Sequence, residues 1–231
     1  MVLCVNFALK FKVMSSMIEI SDCGVLFDLD GVLIDSESLY TGFWNEMECI
    51  YPTGIPDFAA AIKGTTLPSI LSHYADEDVR RDIVERVHRF EHEIVYPVFP
   101  GVMEFLAELR AYGIPCAIVT SSDDVKMASL RRQHPDFVKH FEAVIDASMV
   151  TRSKPDPQGY LLGAEAISRK PENCFVFEDS IQGMAAGRAA GAAVIGLATT
   201  LPREMINDKA RIIIDGFTGF EVSDMLAVSR L

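Results

Sequence analysis

The chain has 231 residues, 49% of them hydrophobic, enough to bury a full core as one large domain or as one domain carrying an insertion. Its formal net charge of -12 disfavours nucleic acid or an anionic membrane as the main partner, since both are held through basic patches, while an anionic small molecule stays open because local charge at a site can oppose the total. Cys4, Cys23, Cys49, Cys116 and Cys174 form no C-x-x-C pair, which argues against a zinc site or redox dithiol, and no apolar run approaches a membrane span, so a cytoplasmic protein with reduced thiols is expected.

Met1 to Leu9 are apolar but lack a basic leader segment and an obvious cleavage site. Residues 1–16 are therefore expected to be a loose extension or to reflect a misplaced start, with the fold beginning at Met17. The first strand-like run, Val25-Leu26-Phe27, breaks at Asp28-Leu29-Asp30-Gly31. On an extended chain, residues two apart face the same way, so the two carboxylates would converge, an arrangement that is costly unless a cation or a shared proton relieves it. Ordinary turn residues before Gly31 are the alternative. An EF-hand loop does not fit: counted from Asp28, Gly31 is fourth rather than sixth, and Leu39 stands where a Glu belongs.

Between Ser36 and Phe99 the β-branched runs vanish and helical spacing takes over, as in Val79, Ile83, Val84, Val87 and Phe90. This predicts an inserted α-helical domain over 36–99, with hinges near Asp35 and near Val98-Phe99-Pro100-Gly101. Tyr40 and Trp44, on its first helix, read as core residues before substrate contacts. His88 and His92 lie four apart, but no Glu occupies the H-E-x-x-H position, so a solvated helix explains them better than a metal.

From Gly101 onward, helical stretches alternate with short apolar strands. Val102, Phe105, Leu106 and Leu109 mark a helix that stops near Gly113, and strands are expected at Cys116 to Val119, Ala143 to Ile145, Cys174 to Phe177, Ala193 to Gly196 and Arg211 to Ile214. The fold class is α/β: a Rossmann-like parallel sheet core from 17–35 and 100–231, covered by helices on both faces. Gly183, Gly187 and Gly191 follow an acidic pair rather than a G-x-G turn and read as small residues that let a helix pack closely on the sheet, with Gly191 ending it.

Four strand ends carry or precede polar groups: Asp28-Leu29-Asp30, Thr120-Ser121-Ser122, Lys154-Pro155 and Glu178-Asp179. In an open parallel sheet the strand C-termini share one edge, where ligands bind. Taken singly, Thr120, Ser122 and Asp123 suit a helix cap, Lys154 a surface loop and Glu178-Asp179-Ser180 an N-terminal cap. Together, and in this order, they point to one site.

In order and spacing, these four segments resemble the motifs of the haloacid dehalogenase-like phosphohydrolases, over roughly Gly24 to Ile214, and the insertion resembles the helical cap of the subgroup containing β-phosphoglucomutase and many sugar-phosphate phosphatases. The resemblance implies that Asp28 is a nucleophile forming an aspartyl-phosphate. Asp30 would protonate the leaving oxygen and then activate water. Thr120, with the backbone of Ser121, and Lys154 would hold the phosphoryl oxygens. Asp28, the carbonyl of Asp30 and Asp179 would bind Mg²⁺, with Glu178 joining directly or through its neighbours.

The phosphoglucomutase subgroup carries a His where this chain has Tyr40, and an Arg shortly after a Lys-Gly pair; here Lys63-Gly64 is followed by Thr65, Thr66 and Leu67. A mutase must grip a second phosphate while the sugar turns, so a missing guanidinium favours hydrolysis. The expected activity is a Mg²⁺-dependent phosphatase acting on a small phosphorylated metabolite, a sugar or polyol phosphate, with Tyr40 and Lys63 selecting it. A hexose-phosphate mutase and a non-catalytic phosphometabolite sensor are the alternatives. A dehalogenase would need neither Asp30 nor Asp179. A monomer is the expected state.

Overall fold

A computed structural model of the protein describes residues 20–228. The expectations of a loose extension over 1–16 and of a start at Met17 fall outside the described residues. Strand β1 (Gly24–Phe27) is followed by four helices, α1 (Glu37–Ile50), α2 (Phe58–Ala61), α3 (Leu67–Leu71) and α4 (Glu77–Glu93). Strands and helices then alternate: α5 (Val102–Ala111), β2 (Cys116–Val119), α6 (Asp124–Gln133), β3 (Ala143–Ile145), α7 (Gln158–Ala166), β4 (Cys174–Glu178), α8 (Ile181–Ala189), β5 (Ala193–Leu197), α9 (Arg203–Ile206), β6 (Ile212–Ile214) and α10 (Val222–Val228).

The six strands form one sheet in the order β3-β2-β1-β4-β5-β6, and every pairing is parallel. Parallel strands need crossovers, and the helices that supply them cover both faces. Alternation along each strand divides the apolar residues between two cores. Val25, Phe27, Ile118, Phe175 and Phe177 pack on one side with α5 and α10, and Leu26, Ala117, Val119, Val176 and Val194 on the other with Tyr160 and Met184. Phe27 stacks on Phe177 with ring centroids 5.0 Å apart, which locks the two central strands side by side.

The four helices inserted after β1 have an apolar cluster of their own, including Phe43, Trp44, Met47, Phe58, Ile83 and Val87. The two connections to the sheet run beside each other: the Asp35 N–H donates to the Pro97 carbonyl at 2.8 Å, the Phe99 N–H to the Leu33 carbonyl at 3.0 Å, and Ile34 bridges Val98.

Candidate active site

β1 ends at Phe27, so Asp28 and Asp30 do not share one extended run, and the expectation that strand alternation alone aims both carboxylates together is corrected here. The Asp28 N–H still donates to the Phe177 carbonyl at 3.0 Å, but the chain then folds back, with the Leu29 carbonyl accepting from Leu33 at 2.8 Å and Ile34 at 3.0 Å. Gly31 makes this turn with φ +72°, and a Cβ there would lie 2.1 Å from Asp179 Oδ2, so only glycine fits. Both aspartates reach the same cavity, held by different partners.

Asp28 is buried against Lys154, whose Nζ donates to Asp28 Oδ1 at 2.6 Å and to Glu178 Oε1 at 2.7 Å. Lys154 is 7% exposed, an anchored ammonium rather than the surface lysine that a loop position suggests. Burial pushes the Asp28 carboxyl up to about 7; Lys154 pulls it back, while Glu178 and Asp30 push it further. Burial also works against the Lys154 charge, but Asp28 and Glu178 outweigh it and hold the ammonium above its usual range.

Glu178, at the end of β4, is 0% exposed and fully engaged. Its Oε1 accepts from Lys154 Nζ and, at 2.9 Å, from the Tyr160 hydroxyl. Its Oε2 accepts from the N–H groups of Asp179 at 3.0 Å and Ser180 at 2.9 Å and from Ser180 Oγ at 3.0 Å. The close packing of α8 makes room for it: a Cβ on Gly183 would lie 1.6 Å from Glu178 Oε1. Ser180 caps α8 by accepting from the Gly183 N–H at 3.0 Å, so this segment is both a cap and part of the site.

Asp30 sits among different donors. Ser36 Oγ and Lys126 Nζ both contact its Oδ1, and Ser122 Oγ donates to its Oδ2 at 3.1 Å. The Thr120 hydroxyl accepts from the Ser122 N–H at 3.0 Å, ordering the loop after β2, and Asp123 caps α6 by accepting from the N–H groups of Val125 and Lys126 at 3.1 Å. Ser121 Oγ donates to the Gly64 carbonyl at 2.9 Å, bringing the inserted helices down onto this edge.

The cavity between the helical insertion and the sheet edge is lined by Asp28, Asp30, Thr120, Ser121 and Asp179 below and by Tyr40, Lys63, Trp44, Ile62, Val87 and Glu91 above. Lys154 lies just behind Asp28. The sequence-predicted residues thus meet around one volume, but Tyr40 is not free to choose a substrate with its hydroxyl, which donates to Glu91 Oε1 at 2.9 Å. Its ring lies 4.0 Å from Lys126 Nζ. Trp44 belongs to the core of the insertion and also reaches the cavity wall. His88 Nε2 lies 3.0 Å from Asp123 Oδ2 and ties α4 to α6.

Oxygen atoms of Asp28, Glu178 and Asp179 lie within 4.8 Å of one another, a cluster that could hold a metal ion. An all-oxygen, acidic donor set suits a hard divalent cation. It would also counter the burial and, after it, the neighbouring carboxylates that push the Asp28 carboxyl up. Asp28 and Asp179 are the better ligand candidates, since both oxygens of Glu178 are already accepting.

The haloacid dehalogenase-like hydrolase family model matches residues 24–191. The chain belongs to the haloacid dehalogenase-like hydrolases. It is 32% identical over 191 residues to hexitol phosphatase A of Escherichia coli K12, covering 80% of this chain and 87% of that protein. It is also 32% identical over 177 residues to a phosphorylated carbohydrates phosphatase of Thermotoga maritima, covering 72% and 81%. Both of those proteins are phosphatases by name. The crystal structure of β-phosphoglucomutase from Clostridium difficile aligns with a TM-score of 0.76 at 22% identity, covering 90% of this chain and 96% of that one, a likeness of fold alone.

Two site residues escape the motif reading of this dehalogenase-like chain, Glu91 and Lys126. Glu91 is 5% exposed, and among the described residues its Oε2 has no hydrogen-bond partner. Burial pushes its carboxyl up to about 7; Lys126 pulls it down and Asp123 pushes it up. Both residues carry a sequence signal. Glu91 continues the stripe Ile83, Val87 at steps of four, and Lys126 lies four before Leu130 on the buried side of α6, so each charge interrupts an apolar face.

Proposed function

We propose that the protein is a Mg²⁺-dependent phosphatase that hydrolyses a sugar or polyol monophosphate through an aspartyl-phosphate on Asp28. The observation that carries this reading is the convergence of Asp28, Asp30, Thr120, Lys154 and Asp179 on one sheet edge beneath the helical insertion. In the first step a carboxylate oxygen of Asp28 attacks phosphorus, the bond from phosphorus to the leaving oxygen breaks, and Asp30 gives that oxygen its proton. In the second, Asp30 takes a proton from water as the water oxygen bonds to phosphorus and the bond to Asp28 breaks. Splitting one displacement into two makes each easier. The ammonium of Lys154 and the Thr120 hydroxyl with the Ser121 backbone offset charge on the phosphoryl oxygens. Asp28, Asp179 and the Asp30 carbonyl would hold Mg²⁺, which would supply further charge neutralisation when bound.

The names of the hexitol and carbohydrate phosphatases support a hydroxylated leaving group. Among the described residues no arginine lines the cavity, which leaves no guanidinium to grip a second phosphate and supports hydrolysis over mutase chemistry. The intact set of acid, nucleophile and cation sites speaks against a sensor without turnover. Phosphate release from a panel of sugar, polyol and nucleotide monophosphates, with Mg²⁺ and with chelator, tests the reading. Release from sugar or polyol esters only with Mg²⁺ is expected. Release that ignores the chelator, or that favours nucleotides, would contradict it.

A further inference from the structure

Lys126 is 2% exposed and lies in the first turn of α6, a helix whose other buried side chains are Met127, Ser129 and Leu130. Burying an ammonium is costly unless it is paired, and the fold needs no charge there. Its Nζ contacts Asp30 Oδ1, the oxygen that Ser36 also contacts, while among the described residues Asp30 Oδ2 has only the neutral Ser122 hydroxyl at 3.1 Å. Above, the Tyr40 ring lies 4.0 Å from Nζ and that of Tyr96 5.6 Å, and Tyr40 is held in turn by Glu91 from α4. The two oxygens of Asp30 are therefore unequal: one is clamped by a cation and a hydroxyl, the other is held by a single weaker donor.

Resting on the phosphatase reading above, we propose that Lys126 is a positioning residue that clamps Asp30 Oδ1, so that Oδ2 is the oxygen that gives its proton to the leaving group and later takes one from water. Aromatic rings shield the ammonium from solvent, and one of them, Tyr40, comes from the helical insertion. The clamp is therefore complete only when the insertion sits on the sheet edge.

A residue that acts through the acid must matter most for esters whose leaving group needs a proton. The test compares kcat/KM, which reports phosphoryl transfer to Asp28, for the best alkyl phosphate of the substrate panel and for p-nitrophenyl phosphate, whose leaving group departs without protonation. In Lys126→Met the alkyl ester is expected to lose about 100-fold, the scale of a misplaced catalytic group, and the aryl ester at least about tenfold less. Lys126→Gln, which keeps a donor without the charge, is judged by the same ratio should Lys126→Met fail to fold. Equal losses on both esters would overturn the positioning role while leaving the phosphatase reading intact. A wild-type enzyme that hydrolyses neither ester would instead overturn the phosphatase reading.

Discussion

Lys154 Nζ lies 2.6 Å from Asp28 Oδ1, joining the loop before α7 to the end of β1 across 126 residues of chain. The same nitrogen reaches Glu178 at 2.7 Å, so two buried carboxylates share one buried cation. Removing one partner of such a cluster leaves uncompensated charge, which typically costs about 3 to 5 kcal/mol. Lys154→Met is expected to lose about that much stability in urea unfolding, and to lose about 10²- to 10³-fold in kcat as a donor to the phosphoryl oxygens disappears. Wild-type stability with lost activity would reduce Lys154 to a ligand contact.

Glu91 gives a pH-dependent prediction. Its carboxyl is raised from the ordinary 4.5 to about 7 in the folded protein, chiefly by burial. Between those values the folded state binds a proton that the unfolded chain has lost, so this residue's contribution to stability falls as pH rises and is fully unfavourable above about 7. Glu91→Gln carries no such proton. It should unfold like the wild type near pH 4.5 and be more stable by about 2 to 3 kcal/mol near pH 8. Urea titrations at both pH values decide it; an equal difference at the two would show that the carboxyl is not perturbed.

The acidic cluster of Asp28, Glu178 and Asp179 predicts a thermal shift. Mg²⁺ at about a hundred times its Kd should stabilise the folded protein by about 2.7 kcal/mol, read as a rise in Tm. Asp179→Asn should show little of that rise. A variant that still responds like the wild type would place the cation elsewhere.

Gly183 tests the packing behind the site. A methyl group there would meet Glu178 Oε1 at 1.6 Å, and overpacking of this kind costs about 1 to 3 kcal/mol. Because Glu178 also holds Lys154, Gly183→Ala should lower kcat more than its loss of stability explains. Unchanged kinetics would show that Glu178 can move without disturbing Lys154.

The strands and the four motif segments were legible in the sequence because their signals are local. The apolar runs match β2 and β3 as expected, with β4 and β5 each running one residue further, to Glu178 and Leu197, and β6 starting one later, at Ile212. What the sequence hides is pairing across distance. Asp30 and Lys126 stand 96 residues apart and Tyr40 and Glu91 51 apart, and nothing in the Glu91-His92-Glu93 run distinguishes a buried carboxylate from a solvated one except its place on the Ile83-Val87 stripe. Tyr40, read as a possible selector of substrate, spends its hydroxyl on Glu91. The closeness of Asp179, which leaves no room for a Cβ at position 31, is likewise reported by no local pattern.

The covalent role of Asp28 is tested most directly by mass spectrometry of acid-quenched Asp30→Asn after mixing with p-nitrophenyl phosphate and Mg²⁺. This ester can transfer its phosphoryl group without an acid, while loss of the base slows hydrolysis of the product on the enzyme. The account predicts one phosphoryl group on the peptide containing Asp28. Continued phosphate release with no phosphorylated peptide, or a phosphoryl group on a different residue, would contradict it.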